Sequence, residues 1–293
     1  MLRISDNPAG NSEILQLKSQ KIENDQFLKN VNYAKTYLEV AEASLKDVLE
    51  IINSAKDIVI SQASDFYNQT TRNTIATEVG QLEKRLLGTA NKTIGNRYLF
   101  SGHQTTTRPF DQDFNYSGDS GLIQIEVQKD FFVPINLPGN KIFYLSNQIN
   151  TFEDDPTIAL KKTTAEDGTA SSQNIHQTEA PPNKSLFATL RSIKDGLMAS
   201  NTYQLQNSLE DLDSFRDHII HIMTHYGSLT NTLNFSLDSV TQSDLTNSAR
   251  KSYLEDADVA ELYSDLQKQD TLLKASYKTV SKVINEKLLD FLR

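Results

Sequence analysis

Three histidines are the residues whose spacing comes nearest to a chemical site. His218, His221 and His225 follow one another at steps of three and four residues, which on a helix places them within about 60° of arc. Zinc sites use imidazoles spaced at i and i+4. Neither a cysteine nor a carboxylate completes the ligand set nearby in the sequence. The alternative interpretation is a polar flank beside an apolar helix stripe, and we predict no metal, no cofactor and no catalysis.

Two acidic clusters are further candidates for a chemical site. Calcium loops alternate oxygen-bearing side chains, and one segment imitates that pattern: Asp111, Asp113 and Asn115. Tyr116 stands where such a loop needs glycine, and Leu122 stands where it needs a closing glutamate. We therefore predict a solvated turn. The acids between Glu255 and Asp258 are interpreted as a solvated or subunit-facing helix surface. The chain contains no His-Glu-x-x-His, Gly-x-Ser-x-Gly or phosphate-binding glycine motif, which argues against an enzyme.

Composition narrows the class of protein. The 293 residues carry a net charge of -9, with 38% hydrophobic and 23% charged residues. This acidic balance argues against a nucleic-acid partner, which would favour a basic surface. No apolar run approaches the roughly 20 residues of a membrane span, so we predict no membrane partner. The absence of cysteine excludes a disulfide framework.

The elements that must position all these residues are long helices. From Asn183 to Arg293 the chain has no proline and only two glycines. Apolar residues recur there with a mean step of 3.5, which predicts one narrow stripe along a helix: Leu205, Leu209, Leu212, Ile219, Met223, Tyr226, Leu233, Leu237 and Val240. A second run predicts a subunit-packing surface: Leu266, Leu273, Tyr277, Val280, Ile284 and Leu288. Isolated helices are marginal in water, so these stripes need partner helices.

The N-terminal part predicts two further helices. Asn7 can cap a helix that begins at Pro8. Heptad spacing is then nearly perfect over the stripe Val31, Ala34, Leu38, Ala41, Leu45, Val48, Ile52, Ala55, Val59, Gln62 and Phe66. The next helix is predicted over Arg72–Ile94, with Gly95-Asn96 as its stop.

The middle of the chain has a different hydrophobic periodicity. From Ser101 to Leu145 the period falls to two, as in Ile123, Ile125 and Val127. This predicts a small β domain in which Pro134 marks an edge strand and Pro138-Gly139 a turn. The polar stretch Lys161–Asn183 predicts a mobile loop.

The fold class that follows is mainly α, a long antiparallel helical bundle or coiled coil with a small inserted β domain. We predict five ranges. They are an N-terminal helical part (1–104), the β domain (105–150), a polar mobile loop (151–183), the C-terminal part of the helical body (184–255) and a C-terminal helix (256–293).

Several segments, in order, resemble the bacterial flagellin family. Ser5–Gly10 resembles its Ser-Asp-Asp-Pro-Ala/Val-Gly segment, and Leu254–Asp258 resembles its Ile-Glu-Asp-Ala-Asp. Tyr98–Gly102, followed by Thr105–Phe110, is similar to the Tyr-Ile-Phe-Ser-Gly…Thr…Pro-Phe of one branch, the hook-associated protein 3 family. The ending Leu288–Leu292 is similar to that branch too.

This resemblance implies a structural protein that forms the junction between the hook and the flagellin filament. The implied partners are hook-associated protein 1, flagellin, copies of the chain itself and an export chaperone. The implied location is secreted, in the flagellum, after type III export. Family members carry a further helix before the Ser-Asp-Asn-Pro segment, so the resemblance also implies that an N-terminal helical segment is missing here. Two alternatives remain open: a flagellin subunit of the filament, and a helical metal enzyme using the face of His218, His221 and His225.

Overall fold

The computed structural model describes residues 8–62, 69–145, 184–255 and 259–291 of the chain. Within the helices, side chains are described except at 8–9, 255, 259–262 and 282–291. The six helices of the described part are α1 (Pro8–Gln62), α2 (Gln69–Ala90), α3 (Gly139–Phe143), α4 (Leu186–Met198), α5 (Thr202–Glu255) and α6 (Val259–Phe291). The mainly α fold predicted from the sequence is therefore confirmed. No described helix is long and apolar enough to span a membrane.

Helix α1 follows its heptad pattern closely. Ten members of the predicted stripe, from Val31 to Gln62, are at most 2% exposed, whereas Phe66 lies outside the described residues. Alternating steps of three and four keep these side chains on one face, because 3.5 residues is close to one helical turn. Pro8 begins the helix as predicted, since the first turn does not need its missing N–H.

Helix α5 buries a stripe whose register differs in part from the predicted one. Apart from one step of seven between Tyr226 and Leu233, the buried series steps by three and four: Leu205, Ser208, Leu212, Phe215, Ile219, Ile222, Tyr226, Leu233, Ser236 and Val240. The predicted members Leu209, Met223 and Leu237 are only half-buried beside it. Serines account for two of these three differences, because an apolar pattern does not reveal Ser208 and Ser236 as core positions. At the third, Ile222 is buried in place of Met223.

The C-terminal part of the helical body, predicted over 184–255, is interrupted at residues 199–201. Ser200 has φ 54°, a left-handed conformation that ends α4. Asn201 then caps α5, since its Oδ1 accepts a hydrogen bond from Gln204 N at 3.2 Å. Ser185 caps α4 in the same way through Ala188 N. Side-chain caps, rather than proline or glycine, set this break.

Polar contacts show that the helices of the bundle run antiparallel. Lys35 Nζ lies 3.3 Å from Asn234 Oδ1, and further along α1 Lys56 Nζ lies 2.5 Å from Asp213 Oδ1. The numbers fall on α5 as they rise on α1. Helices α2 and α4 are joined by Arg191 Nε and Glu83 Oε1 at 3.7 Å. One hydrophobic core extends through these four helices, which confirms the predicted antiparallel bundle.

Within the described residues, the β region forms three two-stranded antiparallel ribbons. They pair β1 (Thr93–Ile94) with β2 (Arg97–Tyr98), β3 (Gln124–Gln128) with β4 (Phe131–Pro134), and β5 (Tyr144–Leu145) with β6 (Lys184–Ser185). The helix predicted to reach Ile94 ends at Ala90. Gly95, with φ 58°, makes the hairpin turn instead. The predicted turn at Pro138-Gly139 is the start of α3.

The β region has no core of its own. Seven aromatic ring contacts involve described residues of this region, including Phe110 against Phe143 and Phe110 against Phe187 of α4, both with centroids 5.2 Å apart. Phe110, Val127 and Val133 belong to the same buried cluster as the α1 and α5 stripes. The inserted β region therefore packs as an extension of the hydrophobic core of the helices.

Two compact units divide the described fold. The bundle unit spans Phe27–Asp238, and the terminal unit combines Met1–Gln26 with Ser239–Arg293. The five ranges proposed from the sequence (1–104, 105–150, 151–183, 184–255 and 256–293) stay a prediction. The range 151–183 lies outside the described residues.

Candidate subunit-packing surfaces

In the terminal unit, the N-terminal turns of α1 pair antiparallel with the end of α5. The least exposed positions on α5 keep the heptad steps, yet three of them are polar, and we call these the polar seam: Asp244, Asn247 and Lys251. Lys21 Nζ lies 3.1 Å from both carboxylate oxygens of Asp244. The hydrogen bond to Asp244 raises the pKa of Lys21. Polar residues at such positions fix register at a cost in stability.

Apolar contact in this pairing is sparse. Ile14 is 6% exposed and Leu17 is 5% exposed on α1, and Val240 is 4% exposed on α5. At the far end, Arg250 lies 3.0 Å from Glu13 Oε1. The pairing is therefore held by a few apolar side chains and by exposed ion pairs, which water and dissolved salt weaken.

Helix α6 presents the predicted subunit-packing residues to solvent. Exposure is 67% for Leu266, 54% for Leu273, 69% for Tyr277 and 55% for Val280. Ile284 and Leu288 lie in the same helix, but their side chains are outside the described part of the chain. All residues from 263 to 281 are exposed. Several large apolar groups on one helix face are typical of a surface that binds another protein.

A second exposed surface on α1 was missed by the sequence reasoning. Leu15 is 67% exposed and Ile22 is 71% exposed. They stand seven residues apart, with Lys18 between them, and we call these three residues the outer stripe of α1. The spacing of seven is visible in the sequence, but two apolar residues one heptad apart do not by themselves predict a stripe.

The three histidines do not come together as a site. His218 lies half-buried on α5 with Nε2 2.8 Å from the backbone carbonyl of Lys141. Burial lowers the pKa of His218, and the bond to Lys141 opposes this in part. His221 is exposed. Among the described residues, no group of three or more histidine, aspartate or glutamate side chains is placed to hold a metal ion.

The acidic segment at Asp111 forms a turn. Asp111 Oδ1 accepts hydrogen bonds from Asp113 N at 2.8 Å and from Asn115 N at 2.9 Å. These bonds, above all those from Asn115, lower the pKa of Asp111. The Asp111 carboxylate therefore accepts hydrogen bonds within its own turn, from backbone N–H groups of Asp113 and Asn115. The acids between Glu255 and Asp258 lie outside the described side chains.

The Tyr-Leu-Phe-Ser-Gly segment, residues 98–102, contributes buried residues to the inserted β region. Leu99 is 1% exposed, and Phe100 and Ser101 are fully buried. Gly102 has φ 71° and lies against Asp119, whose Oδ1 accepts a hydrogen bond from His103 N at 2.7 Å. A β-carbon at residue 102 would collide with that aspartate. The motif therefore serves packing and a tight turn, rather than chemistry.

Comparison with known proteins gives these surfaces a context. The family model "Bacterial flagellin N-terminal helical region" matches residues 2–105. The chain is 26% identical over 279 residues to flagellar hook-associated protein 3 of Escherichia coli K12, covering 94% of this chain and 83% of that protein.

Solved structures share the fold. A flagellar hook-associated protein from Vibrio parahaemolyticus superposes with a TM-score of 0.69 at 18% identity, over 85% of this chain and 99% of that one. The flagellar junction protein FlgL from Legionella pneumophila gives a TM-score of 0.62 at 17% identity, over 83% of this chain and 100% of that one. The comparisons thus confirm the resemblance that the motifs predicted, to the flagellin superfamily and within it to flagellar hook-associated protein 3.

Proposed function

We propose that this chain is a structural subunit of the bacterial flagellum that forms the junction between hook and filament. Its similarity to hook-associated protein 3 carries the proposal, because it extends over 94% of the chain and therefore over both the helical body and the insertion. The fold supports it, since long helices with an exposed apolar face suit assembly rather than catalysis. The partners proposed are hook-associated protein 1 on one side, flagellin on the other and copies of the chain within the ring. An export chaperone is proposed to bind the chain before secretion.

The α6 stripe is the proposed assembly surface. Because Leu273 and Val280 are 54% and 55% exposed, replacing both by aspartate removes no core packing. We expect the Leu273→Asp/Val280→Asp variant to unfold within about 0.5 kcal/mol of the wild type. Aspartate on a contact face adds an uncompensated buried charge, so assembly should fail and cells should not swim.

A matched control is available on the same helix. Ser264 and Thr271 are also seven residues apart and exposed, and they lie about 180° around α6 from Leu273 and Val280. Ser264→Asp/Thr271→Asp adds the same charge, and this control strain should swim. Normal swimming by the Leu273→Asp/Val280→Asp strain would contradict the assembly role of the stripe, and a midpoint several degrees lower would place it in the folded core.

Localisation separates the junction from the filament alternative. Immunogold labelling of intact flagella should mark one short band at the end of the hook if the chain is the junction subunit. A flagellin subunit would label the whole filament. Deletion of the gene should leave hooks and release unassembled flagellin to the medium.

A further inference from the structure

We propose that a groove between α2 and α4 binds a neutral sugar ring, and that the buried carboxylate of Glu83 accepts a hydrogen bond from one of its hydroxyl groups. Every residue that lines this groove lies in the bundle unit. The inference goes beyond the proposed function, because no step of it depends on assembly.

The groove has the size of a small ligand site. Its volume is about 370 Å³, near the lower end of the about 300–1,000 Å³ found for such sites. Lys194 and Met198 of α4 form one wall. Helix α2 forms the other wall, because residues spaced by three and four share a helix face: Asn73, Thr77, Gly80, Gln81 and Lys84. Gly80 keeps the space open, since it has no side chain beneath Lys194, whose Cε lies 3.9 Å from the position of an added β-carbon.

Glu83 supplies a buried acceptor in this groove. The residue is 9% exposed, and its Oε1 is buried without a hydrogen bond. Arg191 Nε lies 3.7 Å away, which makes an ion pair but is too long for a hydrogen bond. The Arg191 guanidinium also lies over the Phe114 ring, 5.1 Å from its centroid, so one guanidinium serves two contacts. A buried oxygen that lacks a donor costs free energy, and a ligand hydroxyl would remove that cost.

Hydrogen-bond donors surround the acceptor. Lys84 and Lys194 line the groove and form no ion pair or hydrogen bond with other residues of the described part. Asn73 Oδ1 accepts a hydrogen bond from Gln69 at 3.1 Å, which leaves the N–H groups of Asn73 Nδ2 for a ligand. The groove therefore combines one buried acceptor with several donors at its rim.

This combination selects the chemical class of the ligand. An anion has no proton to donate to Glu83, and a cation would meet the three basic side chains described above. Each hydroxyl of a neutral sugar both donates and accepts, so one ring can bond the carboxylate and the ammonium groups together. Its C–H face can lie on Ala76 and Met198, which also line the groove.

A chemical-shift titration of the full chain tests the proposal. D-galactose, N-acetyl-D-glucosamine and methyl α-D-glucopyranoside are added in turn to isotope-labelled protein. We expect at least one of them to saturate with a Kd of about 1–20 mM, with the largest shifts at the backbone amides of residues 73–84 and 191–198. Absence of saturation with all three sugars would overturn the proposal. Tighter binding of sulfate or glycine at the same amides would overturn it too, because the ligand would then be an anion or a zwitterion.

Two glycines on α2 provide matched variants. Gly80→Met fills the groove and should weaken sugar binding by about tenfold or more. Gly88→Met adds the same side chain outside the groove, where nothing lies within 4 Å of a β-carbon, and should leave the Kd unchanged. Both variants replace a helix glycine by a better helix former, so thermal unfolding should show that both fold. Equal weakening by the two variants, or none by Gly80→Met, would overturn the location of the site.

Glu83→Gln tests the acceptor itself. Glutamine keeps the shape of the side chain but loses the negative charge, and hydrogen bonds to charged groups are the stronger ones. The variant should therefore weaken sugar binding about fivefold to tenfold, and far-UV circular dichroism checks that it folds. An unchanged Kd in folded Glu83→Gln protein would overturn the role of Glu83 and the proposal with it.

Discussion

We expect the side chain of Asn91 to be one of the main hydrogen-bonding contacts that hold the inserted β region against the helical body. It follows the last residue of α2, and its side-chain amide pairs with the backbone of Phe110 as a strand would. Its Oδ1 accepts from Phe110 N at 3.0 Å, and its Nδ2 donates to Phe110 O at 3.1 Å. Nδ2 also donates to Leu87 O at 3.0 Å.

Asn91→Ala should cost about 3–4 kcal/mol of unfolding free energy. Phe110 is fully buried, so water cannot take over the bonds. The two lost hydrogen bonds to Phe110 account for about 1 kcal/mol each, and the unsatisfied amide of Phe110 adds about 1–2 kcal/mol. Asn91→Asp keeps the acceptor but sets a carboxylate against two carbonyls. Its loss at neutral pH should exceed that of Asn91→Ala and should shrink as acid protonates the carboxyl group.

The assay is urea unfolding combined with hydrogen exchange at the Phe110 amide. Asn53 is an exposed residue within α1, and Asn53→Ala should stay within about 0.5 kcal/mol of the wild type. Exchange at Phe110 should speed up in Asn91→Ala and stay unchanged in Asn53→Ala. If Asn91→Ala matches Asn53→Ala in unfolding free energy and in exchange rate, the hydrogen bonds of Asn91 to Phe110 do not stabilise the fold, and the prediction is refuted.

Other expected outcomes concern histidine and glycine. Burial holds the pKa of His218 below its ordinary value, so the unfolded chain takes up the proton first. The stability is therefore complete above about pH 6.5 and falls as the pH drops below that value. His218→Gln can still donate to Lys141 O and should flatten this part of the pH profile in urea titrations. Gly102→Ala should destabilise by more than about 2 kcal/mol, because its φ is positive and the new β-carbon meets Asp119. Gly88→Ala, with open space on α2, should stabilise by about 0.5–1 kcal/mol. Thermal unfolding of the two glycine variants beside the wild type measures both effects.

Periodicity predicted the helices because the interactions that bury them repeat along the sequence. The α1 stripe is buried at every described position from Val31 to Gln62. On α5 the same reasoning misplaced part of the stripe, since Ser208 and Ser236 occupy buried positions at 3% and 0% exposure. A small polar side chain lets two helices approach, and that advantage is visible only when the neighbour is known.

The insertion was the least predictable part for a related reason. Its alternating residues indicated strands, but its core consists of aromatic contacts between distant segments, such as Phe114 stacked on Phe187 at 4.8 Å. Phe114 holds this position with φ 66°, a conformation that a bulky residue rarely adopts. Only long-range packing can stabilise such a residue. Of the candidate site, the exposed α6 residues were found from their spacing, whereas the outer stripe of α1 needed the measured exposure.

The polar seam gives ionic strength a selective role in this molecule. At about 0.1 M salt the Debye length is about 10 Å, so exposed pairs such as Lys21–Asp244 and Glu13–Arg250 weaken as salt is added. Salts such as sulfate strengthen apolar burial instead. Added sulfate should therefore loosen the helix pairing of the terminal unit while tightening the core of the bundle unit. The ionic composition of the medium can thus change the stability of the terminal unit and that of the bundle unit in opposite directions, without any ligand.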